Sequence, residues 1–138
     1  MIKACTPEET VEAGSTFANN LKKGDLVLLF GVLGAGKTTF IRGVARLLAP
    51  GAKVSSPSFN LLKIYNMPDG GHLYHLDFYR VSSTKELWDI RIEEFLEDGL
   101  VVVEWPGRFP DLLSLPHWKV IFKVLEDDCR CITFTKCS

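Results

Sequence analysis

The chemistry of this chain turns on Gly31, Gly36, Lys37 and Thr38, which stand as G-x-x-x-x-G-K-T within "LLFGVLGAGKTTF", residues 28–40. Gly34 adds another residue without a side chain. A loop of this kind turns successive backbone N–H groups toward one point, and side chains would block a phosphate from reaching them. The apolar run "DLVLLF" before it reads as a strand, and "KTTFIRGVARLLAP" after it reads as a helix stopped by Pro50 and Gly51. The loop therefore opens onto a helix N-terminus, with free N–H donors and a favourable dipole. Lys37 is placed to reach the β- and γ-phosphates of a nucleotide, and the Thr38 hydroxyl to ligate Mg²⁺.

A phosphate cradle alone hydrolyses nothing. The metal needs a carboxylate, and an attacking water must be oriented. Two acids follow apolar runs: Asp77 ends "LYHLD" and Glu104 ends "LVVVE". Either suits the C-terminal edge of a strand beside the loop. The run before Glu104 fits a central parallel strand better. Asp77, on a returning hairpin strand, can be aimed at the same place. Which of the two ligates Mg²⁺ directly is left open.

The elements that must position these groups are readable in order. Residues 6–24 form a helix, with Thr6 as cap, Pro7 at the first helical position, Glu9 completing a capping box and Gly24 at its end. A strand is expected at 59–66, a turn at "MPDGG", and a returning strand over 72–79. One or two short helices follow within 83–99, then the buried strand 100–105, a Pro-rich connection, and a C-terminal hairpin. Parallel character at the front and antiparallel additions later predict an α/β chain. The expectation is a P-loop NTPase-like three-layer fold: one domain over residues 1–138, with a small mixed parallel/antiparallel sheet flanked by helices.

Composition is that of an ordinary globular protein, with 46% hydrophobic and 24% charged residues and a net charge of −1. That balance argues against a strongly basic nucleic-acid binder. No signal-peptide pattern and no apolar run of membrane-spanning length is evident, so the expectation is cytoplasmic. The cysteines 5, 129, 131 and 137 lack paired zinc spacing. Without a secretory signal they are expected to be reduced thiols on or under a terminal strand. His75 lies two residues before Asp77 on one strand face, where it can orient the acid, sense phosphate, or simply be a hydrogen-bonded strand residue. His117 is expected on a surface loop. Phe78, Tyr79, Trp88 and Trp118 are expected to pack.

Taken together, "GVLGAGKTTF", "SSPSFNLLKIY", "HLDFYR", "KEL" and "VVVEWP" resemble, in order and spacing, the bacterial TsaE (YjeE) family of tRNA threonylcarbamoyladenosine biosynthesis ATPases. The resemblance implies that Gly31, Gly34, Ala35, Gly36, Lys37, Thr38 and Thr39 bind ATP. It implies that Thr38 and Glu104 serve Mg²⁺, with Asp77 a second essential acid near the metal or the water. Ser58 would sit in a switch-like loop near the γ-phosphate, where threonine is common. Trp105 would be a site-adjacent aromatic, Arg80 a functional basic residue, and Glu9 and Arg130 would flank the nucleotide. The partners implied are the TsaD and TsaB proteins, with tRNA reached through their complex; the chain's own oligomeric state is left open. Two positions depart from the family pattern: Val32 stands where aspartate is usual, and Arg91 where glycine is usual, which puts the turn before "EEF" in doubt.

Two other functions compete. A small-molecule or nucleotide kinase would use the same loop, but residues 81–98 carry only Arg91 and no arginine-rich lid. A non-hydrolysing nucleotide sensor would be consistent with Val32. No N/T-K-x-D guanine motif is present, which disfavours GTP; "TKEL" has leucine where that motif needs aspartate.

Overall fold

The computed structural model describes residues 1–57, 61–87 and 90–138. In chain order the elements are β1 (Ile2–Ala4), α1 (Pro7–Ala18), β2 (Leu26–Phe30), α2 (Lys37–Leu48), β3 (Leu62–Asn66), β4 (His72–Asp77), α3 (Ile92–Asp98), β5 (Gly99–Glu104), β6 (His117–Val124) and β7 (Arg130–Cys137). Short 3-10 turns lie over Thr84–Leu87, Pro106–Arg108 and Pro110–Ser114.

One mixed sheet runs in the order β1-β7-β6-β2-β5-β4-β3. Its centre is parallel: β2 pairs in parallel with both β5 and β6, and β5 with β4. The edges are antiparallel, through β3 on one side and β7 and β1 on the other. The central strands are apolar throughout because both faces are covered. Val27, Leu29, Leu100 and Val102 face α1 and α2, whereas Leu26, Leu28, Val101 and Val103 pack with Leu87, Ile92 and Leu112 on the opposite face. This is the expected three-layer mixed α/β arrangement. Among the described residues no helix is long and apolar enough to cross a membrane.

The helices α1 and α2 meet backbone to backbone. A Cβ on Gly43 would lie 1.9 Å from the Val11 carbonyl oxygen, and one on Gly14 would lie 2.1 Å from that of Phe40. The Ser15 hydroxyl donates to the Gly43 carbonyl at 2.8 Å across the same contact. Since α2 begins at Lys37, this approach fixes the helix that carries the loop's reactive end.

Several local expectations are corrected. Helix α1 starts as expected, with Thr6 Oγ1 accepting from the Glu9 N–H at 3.1 Å, but the Glu9 carboxylate accepts from Cys5 N–H at 2.8 Å instead of from the cap residue. It ends at Ala18, where Asn19 and Asn20 bond back to Thr16 and Phe17; Gly24, with φ 94°, serves the turn into β2 instead. Strand β3 starts at Leu62; Phe59 and Asn60, the expected first residues, lie outside the described ones, as does Trp88. His117 is a buried β6 residue whose Nδ1 lies 2.7 Å from the Leu115 carbonyl oxygen, not a surface-loop residue. Helix α3 forms despite Arg91, which occupies the cap position without a side-chain cap bond.

The cysteines are not all reduced. Strand β1 pairs with β7 so that Ala4 faces Arg130, and continuing that register brings Cys5 against Cys129, which are joined as a disulfide. Cys131 and Cys137 remain free thiols. A three-residue edge strand has too little apolar pattern to be read in advance, and a bridge spanning 124 residues leaves no spacing signature.

Candidate functional site

The parallel strands β2, β4 and β5 all end at one edge of the sheet, where α/β sheets bind ligands. The loop leaves β2 there. In the β4–β5 register Asp77 sits opposite Glu104, so the two acids arrive side by side. Gly36 caps α2 at φ 98°, a left-handed conformation that a side chain would strain, and the α2 N-terminus opens directly behind it.

These elements enclose a cleft of about 430 Å³. Of the residues expected at the site, Gly34, Gly36, Lys37, Thr38 and Thr39 line it from the loop side. Asp77, Arg80, Glu104 and Trp105 line it from the strand ends. Ala35 and Gly31 do not line it: Ala35 is buried, its N–H donating to the Val32 carbonyl at 3.1 Å, and the Gly31 carbonyl accepts from Lys37 Nζ. Arg130, on β7, does not line this cleft; its Nη2 donates to the Gly34 carbonyl at 3.1 Å. It also borders an adjoining cavity of about 190 Å³ with Thr6 and Thr10. Glu9 lines neither; its carboxylate is engaged at the start of α1. Ser58 lies outside the described residues. Val32 sits at the loop tip, 63% exposed, so its side chain takes no part in the cleft wall.

The polar groups are buried and mutually engaged. Lys37 is 4% exposed; its ammonium donates to the Gly31 carbonyl at 2.6 Å and lies 3.6 Å from the centroid of the Trp105 ring. Burial pushes its pKa below the usual lysine value, and the Glu104 and Asp77 carboxylates pull it back up. The Thr38 hydroxyl lies 2.9 and 3.1 Å from the two Glu104 oxygens. Glu104 is also met by His75, whose Nε2 lies 2.7 Å from Oε2. Asp77 is held differently: Ser56 Oγ donates to Oδ2 and the Tyr79 N–H donates to Oδ1, each at 2.9 Å. The expectation that His75 orients Asp77 is corrected: the ring contacts Glu104, and Asp77 is held by Ser56 and the Tyr79 N–H. Trp105 holds its ring over Lys37 from a left-handed backbone at φ 58°, the kind of local strain found at functional sites.

The fit to ATP and Mg²⁺ follows from these observations. The loop offers a cradle with no side chain at Gly34 and Gly36, a buried ammonium and a helix N-terminus, which suit a polyphosphate. Among the described residues no cluster of three or more His, Cys, Asp or Glu side chains could hold a metal ion by itself. Thr38 and Glu104 instead present a hydroxyl and a carboxylate in contact. Mg²⁺ bound to a nucleotide takes one or two protein oxygens of this type and completes its shell with phosphate and water.

Leu33, Ser56 and Tyr79 also line the cleft and were not among the expected site residues. Ser56 belongs to the same "SSPSF" segment that pointed to Ser58. Tyr79, expected to pack within a strand over 72–79, lies beyond the end of β4 at Asp77. The chain instead turns after Asp77, whose own carboxylate bonds the Tyr79 N–H, and this delivers the ring to the cleft, 4.8 Å from that of Trp105.

Known proteins resemble this chain in sequence and fold. The family model described as "Threonylcarbamoyl adenosine biosynthesis protein TsaE" matches residues 4–132. The tRNA threonylcarbamoyladenosine biosynthesis protein TsaE of Rickettsia typhi is 38% identical over 130 residues, covering 94% of this chain and 90% of that one. Its Bacillus subtilis namesake is 38% identical over 135 residues, covering 96% and 83%. Among solved structures, the crystal structure of Bacillus subtilis YdiB superposes with a TM-score of 0.79 at 36% identity, covering 99% of this chain and 84% of that one. With the family model matching nearly its whole length, and relatives of this identity covering most of both chains, this chain belongs to the TsaE family.

Proposed function

We propose that the chain, acting as one domain over residues 1–138 in the cytoplasm, is a Mg²⁺-dependent ATPase of tRNA threonylcarbamoyladenosine formation. Its nucleotide state is coupled to the TsaD and TsaB proteins, and through them to tRNA. The relatives' names support the pathway. One observation carries the ATPase reading: a single cleft gathers a glycine-loop lysine, a helix-N-terminal hydroxyl and two buried carboxylates from neighbouring parallel strands.

Loop N–H groups and the α2 N-terminus bind the phosphates. Lys37 exchanges the Gly31 carbonyl for phosphate oxygens and stabilises the charge that develops as the bond between the γ-phosphorus and the bridging oxygen breaks. Thr38 and Glu104 hold Mg²⁺, which supplies charge neutralisation when bound. Asp77, fixed by Ser56 and by its own turn, orients the attacking water. Tyr79 and Trp105 form an aromatic wall beside the phosphates. The products are ADP and inorganic phosphate, and no acceptor other than water is required.

The test is reconstitution. The purified chain, its cognate TsaD and TsaB proteins, a threonylcarbamoyl donor, ATP·Mg²⁺ and unmodified tRNA should yield modified adenosine and free phosphate. Lys37→Ala and Asp77→Ala should abolish both while keeping the native melting profile. Modification that proceeds undiminished with Asp77→Ala would mean that hydrolysis is not the function. Label passing from ATP to a metabolite instead of free phosphate would identify a kinase.

A further inference from the structure

His75 is a fully buried imidazole on β4, and it does not line the cleft. Its surroundings specify what it does. Nε2 lies 2.7 Å from Glu104 Oε2, and a carboxylate only accepts, so Nε2 carries the hydrogen. On the other side of the ring, Nδ1 faces the Tyr65 hydroxyl at 3.4 Å. That hydroxyl donates its hydrogen toward Nδ1, the ring nitrogen that carries none.

Glu104 has three rotatable side-chain bonds and, among the described residues, two side chains that hydrogen-bond its carboxylate, Thr38 and His75. Thr38 is itself assigned to the metal. When its hydroxyl turns to a cation, the hydrogen bond from His75 is the restraint that stays. We propose that His75 is a positioning residue for Glu104: it keeps the carboxylate aimed into the cleft while the metal loads, with Tyr65 fixing the ring orientation from behind. This rests on the reading of Glu104 as a metal ligand. Partners of this kind, set behind a ligand, are known to change metal affinity by about 10- to 100-fold when removed.

The experiment measures binding, so it does not depend on turnover. Free Mn²⁺ is counted by electron paramagnetic resonance while Mn²⁺ is titrated into the full chain saturated with a non-hydrolysable ATP analogue. The analogue's affinity without metal is measured separately. His75→Leu should weaken Mn²⁺ binding about 10-fold or more and leave metal-free nucleotide affinity within twofold. His75→Gln, whose amide N–H can take the place of Nε2–H, should recover most of the loss. Tyr65→Phe should give a smaller loss in the same direction. His75→Leu leaving Mn²⁺ affinity unchanged would overturn the proposal, as would equal losses with and without metal, or a glutamine variant no better than leucine. Should the leucine variant not fold, the glutamine and Tyr65→Phe pair decides: wild-type binding by glutamine with a metal-specific loss in Tyr65→Phe supports the role, and no loss in Tyr65→Phe together with impaired metal-free binding in glutamine refutes it. Glu104→Gln separates the two levels of the argument. If it leaves Mn²⁺ binding intact, the metal-ligand reading fails; if it weakens binding and His75→Leu does not, only the role of His75 fails.

Discussion

Replacing Gly43 by alanine tests whether α1 truly holds α2 in place. The added Cβ would sit 1.9 Å from the Val11 carbonyl oxygen, 2.8 Å from its carbon and 3.0 Å from the Ser15 nitrogen. Reaching ordinary contact at 3.4 Å requires the helices to part by about 1.5 Å. The obstacle is helix backbone, which has no rotamer to escape into, so the overpacking cost falls at the upper end of the usual range, about 3 kcal/mol. Alanine's higher helix propensity returns about 1 kcal/mol. The net loss of about 2 kcal/mol lowers a urea midpoint by about 1 M for a typical slope of about 2 kcal/mol per M. Separation also stretches the Ser15–Gly43 hydrogen bond and moves the helix that begins at Lys37, so ATP affinity falls as well. Urea unfolding followed by circular dichroism, with nucleotide titration at low urea, measures both. Gly107→Ala, with nothing within 4 Å of its added Cβ, is the control and should change stability by less than about 0.5 kcal/mol. A Gly43→Ala midpoint equal to or above wild type would show that propensity wins and that the close approach is not tight.

Two other predictions concern the frame around the site. Tyr74 is buried and donates to Asp98 Oδ1 at 2.7 Å, and its pKa is pushed up to about 12, first by burial and then by that carboxylate. The folded value lies above the unfolded one of 10.0, so the stabilisation is complete below pH 10 and is lost as pH rises through about 12. Tyr74→Phe, which keeps the ring stacked on Phe95, should therefore be less stable than wild type at pH 8, with the gap closing toward pH 12; a constant gap would contradict this. The Cys5–Cys129 bridge spans 124 residues, a closure worth about 5 kcal/mol in the chain-entropy account. Thiol titration of the unreduced, unfolded chain should count only Cys131 and Cys137, and reductant should lower the melting temperature by about 10 °C or more. Four reactive thiols without reductant, or identical melting curves, would refute the bridge.

What could be read in the sequence follows from how local each signal is. The loop was legible because Gly31, Gly36, Lys37 and Thr38 sit at fixed spacing on one short segment. Strands β2 and β5 were legible because burial on both faces leaves an uninterrupted apolar run. Asp77 and Glu104 were recognised as strand-end acids, yet their opposed register depends on β4 joining β5 in parallel, a pairing between distant segments. The parallel union of β6 with β2 was hidden for the same reason, since the C-terminal hairpin reads as a self-contained unit. Strand β1 has three residues and takes its partner from the far end of the chain. The placement of His75 against Glu104 depends on β4 pairing with β5, a union of distant segments, so the sequence pointed the ring at Asp77 instead.

The most direct test of the central claim is an equilibrium titration of ATP into the purified chain with and without Mg²⁺. Wild type should bind saturably, and more tightly with Mg²⁺; Thr38→Val should keep metal-free binding and lose the Mg²⁺ enhancement, while Lys37→Ala should lose binding in both conditions. ATP binding that ignores Mg²⁺ and survives Lys37→Ala would contradict the assignment of the cleft.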